Sequence, residues 1–418
     1  MMFKFLHAAD LHLDSPLLGL ASKSADYAAR VDRASRDAFE NLIALAIDQG
    51  CSFVVLAGDI FDGDLRNFET GLFFIDQMRR LGDAGIQAFL ILGNHDAENR
   101  FAAKLSLSAN VHVFDSKRAE AIALSALPVT VHGRSFPQRD VTENIARDYP
   151  APIPGHFNIG VLHTACQGSE SHHAPYAPCT VEQLANHGYD YWALGHVHAR
   201  AVLSTDPYII YPGNLQGRSP RETGPKGATL VSVSDGRVTE VEHRDLDMVR
   251  WFTVTVDANA SETRAALLDH IRSAIEQACA DAGDRAIALR VRLVGETALH
   301  HRMLIEPQAL REDVAALLAT LAGDVWLEKL VIATAPPALP ASLDPTVSGQ
   351  LLAEIEAPDT DHALNEMVAA RLAEVRAKMP AGAHAEEFFE TLRNEAPARA
   401  RALALSLIGD TEAGDAAR

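Results

Sequence analysis

Cysteine is scarce and poorly placed for pairing. The 418-residue chain has four, Cys51, Cys166, Cys179 and Cys279, and none sits in the C-x-x-C spacing of a redox motif or a cysteine-rich metal knuckle. A disulfide-framed secreted fold is therefore not expected, and a reducing cytoplasm is the simplest location. Long apolar runs are also missing: "LIALAIDQG" and "SFVVLAG" are broken by polar residues or glycine well short of a bilayer span, so no membrane insertion is expected. The opening "MMFKFLHAADLHLD" turns acidic too early for a secretory leader. Basic charge is in deficit as well. With 37 Lys and Arg against 56 Asp and Glu, the formal net charge is -19, which argues against a whole-surface affinity for nucleic acid. Local contact stays open, because metal ions neutralise carboxylates and a few placed cations can hold a phosphate.

A chain that is 48% hydrophobic and 22% charged has the composition of a folded protein with room for two or three domains. From residue 3 to about 245, β-type runs ("FKFLHAAD", "SFVVLAGDI", "QAFLILGNHD", "FNIGVLHTA", "YDYWALGHV") alternate with amphipathic helical stretches at 34–48 and 68–83. That alternation predicts an α/β domain over residues 1–249. "TLVSVSDGRVTEVEHR" reads as a hairpin turning at Asp235-Gly236. A small α+β domain is expected over 250–335, with helices at 261–282 and 307–321. The proline-rich "APPALPASLDP" marks a linker, 336–345. Residues 346–418 then carry helical spacing (Leu351, Leu352, Ile355, Leu364, Met367, Val368, Leu372, Val375) and a frayed tail from Gly409.

Residues able to bind metal recur where the apolar runs stop. They are Asp10 and His12 in "AADLHLD", Asp59 in "LAGDIFD", Asn94 and His95 in "LGNHDAE", His163 in "VLHTA", and His196 and His198 in "LGHVH". Taken singly, Asp10 is equally a strand-end turn former, Asp59 a turn residue, Asn94 a helix cap and His163 a satisfied core histidine. Oxygen and imidazole donors without thiolates suit hard or borderline divalent ions rather than a structural zinc cage. A carboxylate shared by two ions keeps them about 3.5–4 Å apart, the separation that clamps a phosphoryl group.

The ordered set D-x-H, GD, GNHD, H and GHxH resembles the calcineurin-like metallophosphoesterases. Within them, "FLHAADLHLDSP" and "YPGNLQGRSPRETGPKGA" (211–228) resemble the SbcD- and YhaO-type DNA repair exonucleases. This resemblance implies a two-sheet sandwich flanked by helices, then a small capping domain and C-terminal helices. It implies two divalent ions, manganese foremost, with iron, magnesium or zinc as alternatives. One would be held by Asp10, His12, Asp59 and His198, the other by Asp59, Asn94, His163 and His196, with Asp59 bridging. His95 would face the scissile phosphate as the catalytic residue, and Asp96 could orient its turn. Some nucleases of the group have a histidine three residues after the bridging aspartate; this chain has Asp62, which counts against a two-histidine relay.

The function so implied is a metal-dependent DNA exonuclease or endonuclease in repair, working with an SMC-like (SbcC/YhaN-type) ATPase docked on the C-terminal helices, and as a homodimer. A phosphoesterase acting on nucleotides or small phosphodiesters is the alternative, and a scaffold without chemistry a third. Arg218, Arg221 and Lys226 are candidate phosphate contacts on a short basic rim, or a solvated loop. His172 and His173 belong either to a solvent loop or to a lid facing the substrate. Cys166 reads as a small buried residue.

Overall fold

A computed structural model of the chain describes residues 1–15, 25–62, 68–98, 106–167, 176–259, 261–321, 324–337, 362–378 and 389. The apolar runs of the first segment become β1 (Met2–Ala8), β2 (Phe53–Ala57), β3 (Gln87–Ile91), β7 (Phe157–His163) and β8 (Tyr191–Gly195). Helices α1 (Ala25–Asp48) and α2 (Phe68–Asp83) fall between the first three, and the short α3 (Asn94–Glu98) follows β3. The sequence reading did not anticipate the short strands β4 (Val111–Val113), β5 (Glu120–Ala123), β6 (Val129–Gly133), β9 (Ala201–Thr205) and β10 (Tyr208–Tyr211), or helix α4 (Val181–Ala185). Apart from β6, these runs are shorter or more exposed than the anticipated strands and leave little pattern to read.

Two six-stranded sheets result, in the orders β12-β11-β1-β2-β3-β4 and β5-β6-β7-β8-β10-β9. Here β11 (Gly227–Ser234) and β12 (Arg237–Asp245) are the expected hairpin. Its turn residues Asp235 and Gly236 both have positive φ (52° and 74°), as the tight turns that match strand twist require. β1, β2 and β3 run parallel, as do β6, β7 and β8. The sheets stack face to face. Phe53, Val55 and Ala57 of β2 join Phe5, Phe89, Val131, Ile159, Val161 and Tyr191 in the core between them. Val54 and Leu56 face the other way, under Phe39, Leu42, Phe74 and Met78 of α1 and α2. Both faces of β2 are thus buried, which is why its sequence is continuously apolar rather than alternating. Trp192, Leu194 and Leu162 pack on the outer face of the second sheet with Tyr149 and Leu184.

The remaining strands, β13 (Val249–Asp257), β14 (Ala286–Glu296) and β15 (Val325–Ala335), form a three-stranded sheet in that order. Helix α5 (Arg264–Ala282) follows β13. The helix expected at 307–321 is α7 (Pro307–Leu318), preceded by a separate turn of helix, α6 (His300–Ile305). Pro307 lies in the first turn of α7, where its missing N–H costs nothing. The described residues divide into two compact units, one within 1–253, 277–290 and 322–328, the other within 254–276, 291–321 and from 329 onward. Helix α8 (His362–Lys378) falls in the expected C-terminal helical region, with Met367 and Val375 exposed. Leu351, Leu352, Ile355, most of the linker and the tail lie outside the described residues. No described helix is long and apolar enough to cross a membrane.

Candidate metal centre

The parallel strands β1, β2, β3, β7 and β8 all end at one edge of the sandwich, the place where α/β folds expose loop residues. There the loops after β1 and β2 are laced together, Asp10 N–H donating to the Gly58 carbonyl and His12 N–H to that of Asp59, both at 3.0 Å. Asp10, His12, Asp59 and His196 all have positive φ, from 42° to 101°. Non-glycine residues rarely occupy this region, and clusters of them mark sites where geometry outweighs strain. The motif glycines are spacers. A Cβ on Gly195 would lie 1.9 Å from the Ala57 carbonyl oxygen, and one on Gly93 would lie 2.2 Å from Asp59 Oδ1.

Two donor clusters share Asp10: Asp10, His12 and His198 in one, and Asp10, Asp59 and His163 in the other, the ligand-capable atoms of each lying within 4.8 Å of one another. Asp59 Oδ2 lies 3.5 Å from His163 Nε2 and 3.9 Å from His12 Nε2, so it also stands between the clusters. Asn94 Oδ1 is 3.0 Å from His163 Nε2. His196 sets its ring edge-on to that of His163, centroids 5.2 Å apart, and donates its backbone N–H to the Asp10 carboxylate. Every metal ligand expected from the sequence is therefore gathered at one place. His196 and His198 do separate as the turn after Gly195 suggests, one toward His163 and the other toward His12.

The imidazoles are pre-oriented. His163 Nδ1 is 2.9 Å from the Ala57 carbonyl and His198 Nδ1 is 2.8 Å from Glu222 Oε1. Each acceptor receives a hydrogen bond from Nδ1–H and so directs the Nε2 lone pair into the site, the usual way a protein prepares a histidine for a metal. The Nε2 atoms of His198 and His12 then face each other at 3.2 Å, an arrangement a cation satisfies. Burial pushes the Asp10 pKa up to about 6 against the pull of His198 and His163, and burial with the nearby Arg218 charge pushes His12 down to about 3. Burial would raise Asp59 also, but His163 holds its carboxyl well below the usual range. His163 is itself pushed up to about 9, burial opposing and Asp59 prevailing. Two buried carboxylates among neutralisable imidazoles, without a thiolate, fit divalent cations.

His95 differs from the candidate ligands in being half-buried, with 30% of its side chain exposed. Its N–H donates to Asp59 Oδ1, and its Nδ1 is 3.2 Å from Asp62 Oδ1. Chiefly through Asp62, its pKa lies above the ordinary histidine value. Asp96 accepts the N–H groups of Ile60, Phe61 and Gly93 at 2.9–3.1 Å, pinning the Asp59 loop to the Asn94 loop. Burial and the Asp59 charge push its pKa up to about 7.

The proposed basic rim divides. Arg221 is exposed, and Arg218 is partly buried beside Asp62, His198 and Glu222. Lys226 does not belong to an exposed rim: it is buried and donates from Nζ to the His198 carbonyl at 3.1 Å, because it leads directly into the buried strand β11. His172 and His173 lie outside the described residues. Cys166 is buried, as expected, and its backbone pairs with that of Cys179 in an isolated parallel β-bridge, without a disulfide. Glu222 was missed from sequence. Its only signal was a place in the segment 211–228, which returns to the site through loops without periodicity.

Residues 3–200 match the calcineurin-like phosphoesterase family, and residues 251–335 match the middle domain of metallophosphoesterase YhaO. The metallophosphoesterase YhaO of Bacillus subtilis (strain 168) is 34% identical over 368 residues, covering 86% of this chain and 88% of that protein. The DNA double-strand break repair protein Mre11 of Sulfurisphaera tokodaii is 26% identical over 273 residues, 61% of this chain and 66% of that one. Mre11 of Haloferax volcanii is 26% identical over 301 residues, 71% of this chain and 63% of its own. With the donor clusters in place and this kinship along most of its length, the chain belongs to the calcineurin-like metallophosphoesterases, in the YhaO family.

Proposed function

We propose that this chain is a metal-dependent DNA nuclease that hydrolyses phosphodiester bonds in repair. The observation that carries the reading is the pair of buried carboxylate–imidazole clusters joined at Asp10 and Asp59, with His95 as the partly exposed imidazole beside them. In this reading one ion is held by Asp10, His12, Asp59 and His198, and the other by Asp59, Asn94, His163 and His196. Two bound divalent cations, manganese in the first instance, supply an activated water and draw charge from the phosphate oxygens. The protein supplies the rest. Glu222 and the Ala57 carbonyl hold two ligand imidazoles in register, and Asp96 holds the loops that carry Asp59 and Asn94. His95, whose pKa Asp62 raises, donates a proton or hydrogen bond to the leaving 3'- or 5'-oxygen. Arg221 and Arg218 contact flanking phosphates.

DNA is the substrate favoured by the kinship with Mre11, named as a DNA double-strand break repair protein, across more than half of this chain. The reading includes a cytoplasmic location, a homodimer and an SMC-like ATPase docked on 346–408, where Met367 and Val375 of α8 are exposed. Digestion of labelled linear DNA with manganese, beside an aryl phosphodiester and a nucleotide, tests it. Metal-dependent loss of DNA, abolished by a chelator, is expected; hydrolysis of the nucleotide with DNA left intact would replace the nuclease by a small-phosphoester hydrolase. Deleting the chain after residue 340 should abolish binding to the ATPase, and unchanged binding removes the docking role.

A further inference from the structure

Cys166 and Cys179 stand opposite each other beside the metal centre and take no part in the proposed chemistry. Their backbones pair in a parallel bridge, and Gln167 N–H donates to the Cys179 carbonyl at 2.9 Å. Residues paired in this way turn their side chains to the same face, and here the two thiols are hydrogen-bonded to each other. Both are 2% exposed and pack with Leu162, Leu194 and Tyr211 on the outer face of the second sheet. The hydrogen bond from Cys166 lowers the Cys179 pKa, burial opposing. One buried cysteine is an inert small residue. Two in contact bring both sulfurs of a disulfide together.

Each side of the bridge leads to a candidate ligand. Cys166 follows His163 by three residues, and between them Thr164 donates its N–H to the Gly195 carbonyl at 3.1 Å. The Tyr211 hydroxyl ties this stretch together, accepting from Cys166 N–H at 2.9 Å and donating to the Thr164 carbonyl at 2.7 Å. On the other side, the Ala177 carbonyl accepts the Thr164 hydroxyl at 2.7 Å and the Tyr176 carbonyl accepts Ala165 N–H at 2.8 Å. The Tyr176 ring leans on that of His196, centroids 5.7 Å apart. A movement of the two cysteines therefore reaches His163 and His196, which are expected on the same ion.

We propose that Cys166 and Cys179 are a reversible oxidation site: hydrogen peroxide closes them to a disulfide, and the closure weakens the ion position shared by His163 and His196. The Cys179 thiolate attacks one peroxide oxygen, forming a sulfenic acid and releasing hydroxide, which takes up the thiol proton as water. The Cys166 sulfur then displaces the sulfenic oxygen, and that oxygen leaves with the Cys166 proton as a second water. Two thiols are oxidised by two electrons and one peroxide is reduced to two waters. A small dithiol reverses the bond by exchange. Burial admits an oxidant of the size of water, and the adjoining thiol captures the sulfenic acid before it oxidises further. The S–S bond, about 2.05 Å, is shorter than a hydrogen-bond contact between sulfurs, so closing it draws both sides of the bridge inward. The inference rests on the metal centre and not on DNA as the substrate.

In the test, metal-free full-length protein is treated with hydrogen peroxide, cleared of it with catalase, and cleaved after Glu170, which separates the two cysteines. Mass spectrometry should find Cys166 joined to Cys179, with two of the four thiols lost, and dithiothreitol should restore them. Titration calorimetry with manganese should show one of two ions bound about tenfold more weakly in the oxidised protein, the scale of a disturbed supporting group, with recovery on reduction. Cys166→Ser and Cys179→Ser should show neither the linkage nor a peroxide effect on manganese binding. Thiols that survive peroxide, Cys179 oxidised without linkage, or linkage to Cys51 or Cys279 would overturn the site. Linked protein that binds both ions as the reduced form does overturns the coupling. If neither form binds manganese, the metal-centre reading and the coupling fall together, and the mapped linkage still decides the oxidation site.

Discussion

His198 is held from both sides: Glu222 accepts at Nδ1 and Lys226 donates to its backbone carbonyl. Replacing Glu222 with Gln removes the charge that orients the ring, and manganese affinity measured by titration calorimetry should fall by about 10–100-fold. Unaltered affinity would reduce the pair to a packing contact. His95→Ala should leave metal content intact and lower kcat on DNA by about 100-fold or more, the range of a lost general acid. Asp59→Asn should do the reverse, depleting both ions, since Asp59 lies within 4 Å of His12 and His163 alike. Gly195 is a purely steric case. Alanine there meets the Ala57 carbonyl, the same oxygen that accepts from His163. A loss of about 1–3 kcal/mol by chemical denaturation is expected, together with weaker metal binding as His163 is displaced.

At the scale of elements, the two sheets are tied by a histidine that is no ligand. His7 of β1 reaches across to β8, Nδ1 3.0 Å from the Tyr191 hydroxyl and Nε2 3.1 Å from the Leu194 carbonyl. Burial pushes its pKa down to about 3. The unfolded chain takes up that proton near pH 6.5, so between about pH 6.5 and 3 the unfolded state binds more protons and stability falls as the pH falls. Above that window the contribution of His7 is complete. The slope due to this group reaches about 1.4 kcal/mol per pH unit. Denaturation from pH 7 to 4 should show it, and His7→Gln should flatten it; an unchanged slope would place the acid sensitivity elsewhere. Nothing local distinguishes His7 from His12 or His163, since each adjoins an apolar run. Only the partner across the gap does: a neutral hydroxyl and a carbonyl for His7, carboxylates for the others.

For the whole molecule, charge sets the expected mode of DNA contact. A net charge of -19, with Arg218 and Arg221 as accessible arginines near the site among the described residues, means few phosphates neutralised. Affinity for duplex DNA, measured with a divalent ion present, should therefore change only about tenfold between 50 and 200 mM salt, the slope for roughly two phosphate contacts. A much steeper dependence would reveal a basic surface elsewhere.

The sequence by itself determined the order of the candidate donors, because each of these motifs sits at the end of a strand whose apolar run is visible, and parallel strands deliver their ends to one edge. It determined the hairpin at Asp235-Gly236 as well, through the backbone freedom that turn demands. The tertiary structure alone decided which runs share a sheet, since β2 and β8 are equally apolar yet lie in different layers. It also decided that Lys226 is buried, that Glu222 serves His198, and that Asp62 reaches His95 and Arg218 together. Local periodicity records whether a residue is buried; it carries no record of what stands opposite once distant loops have been folded onto the same edge.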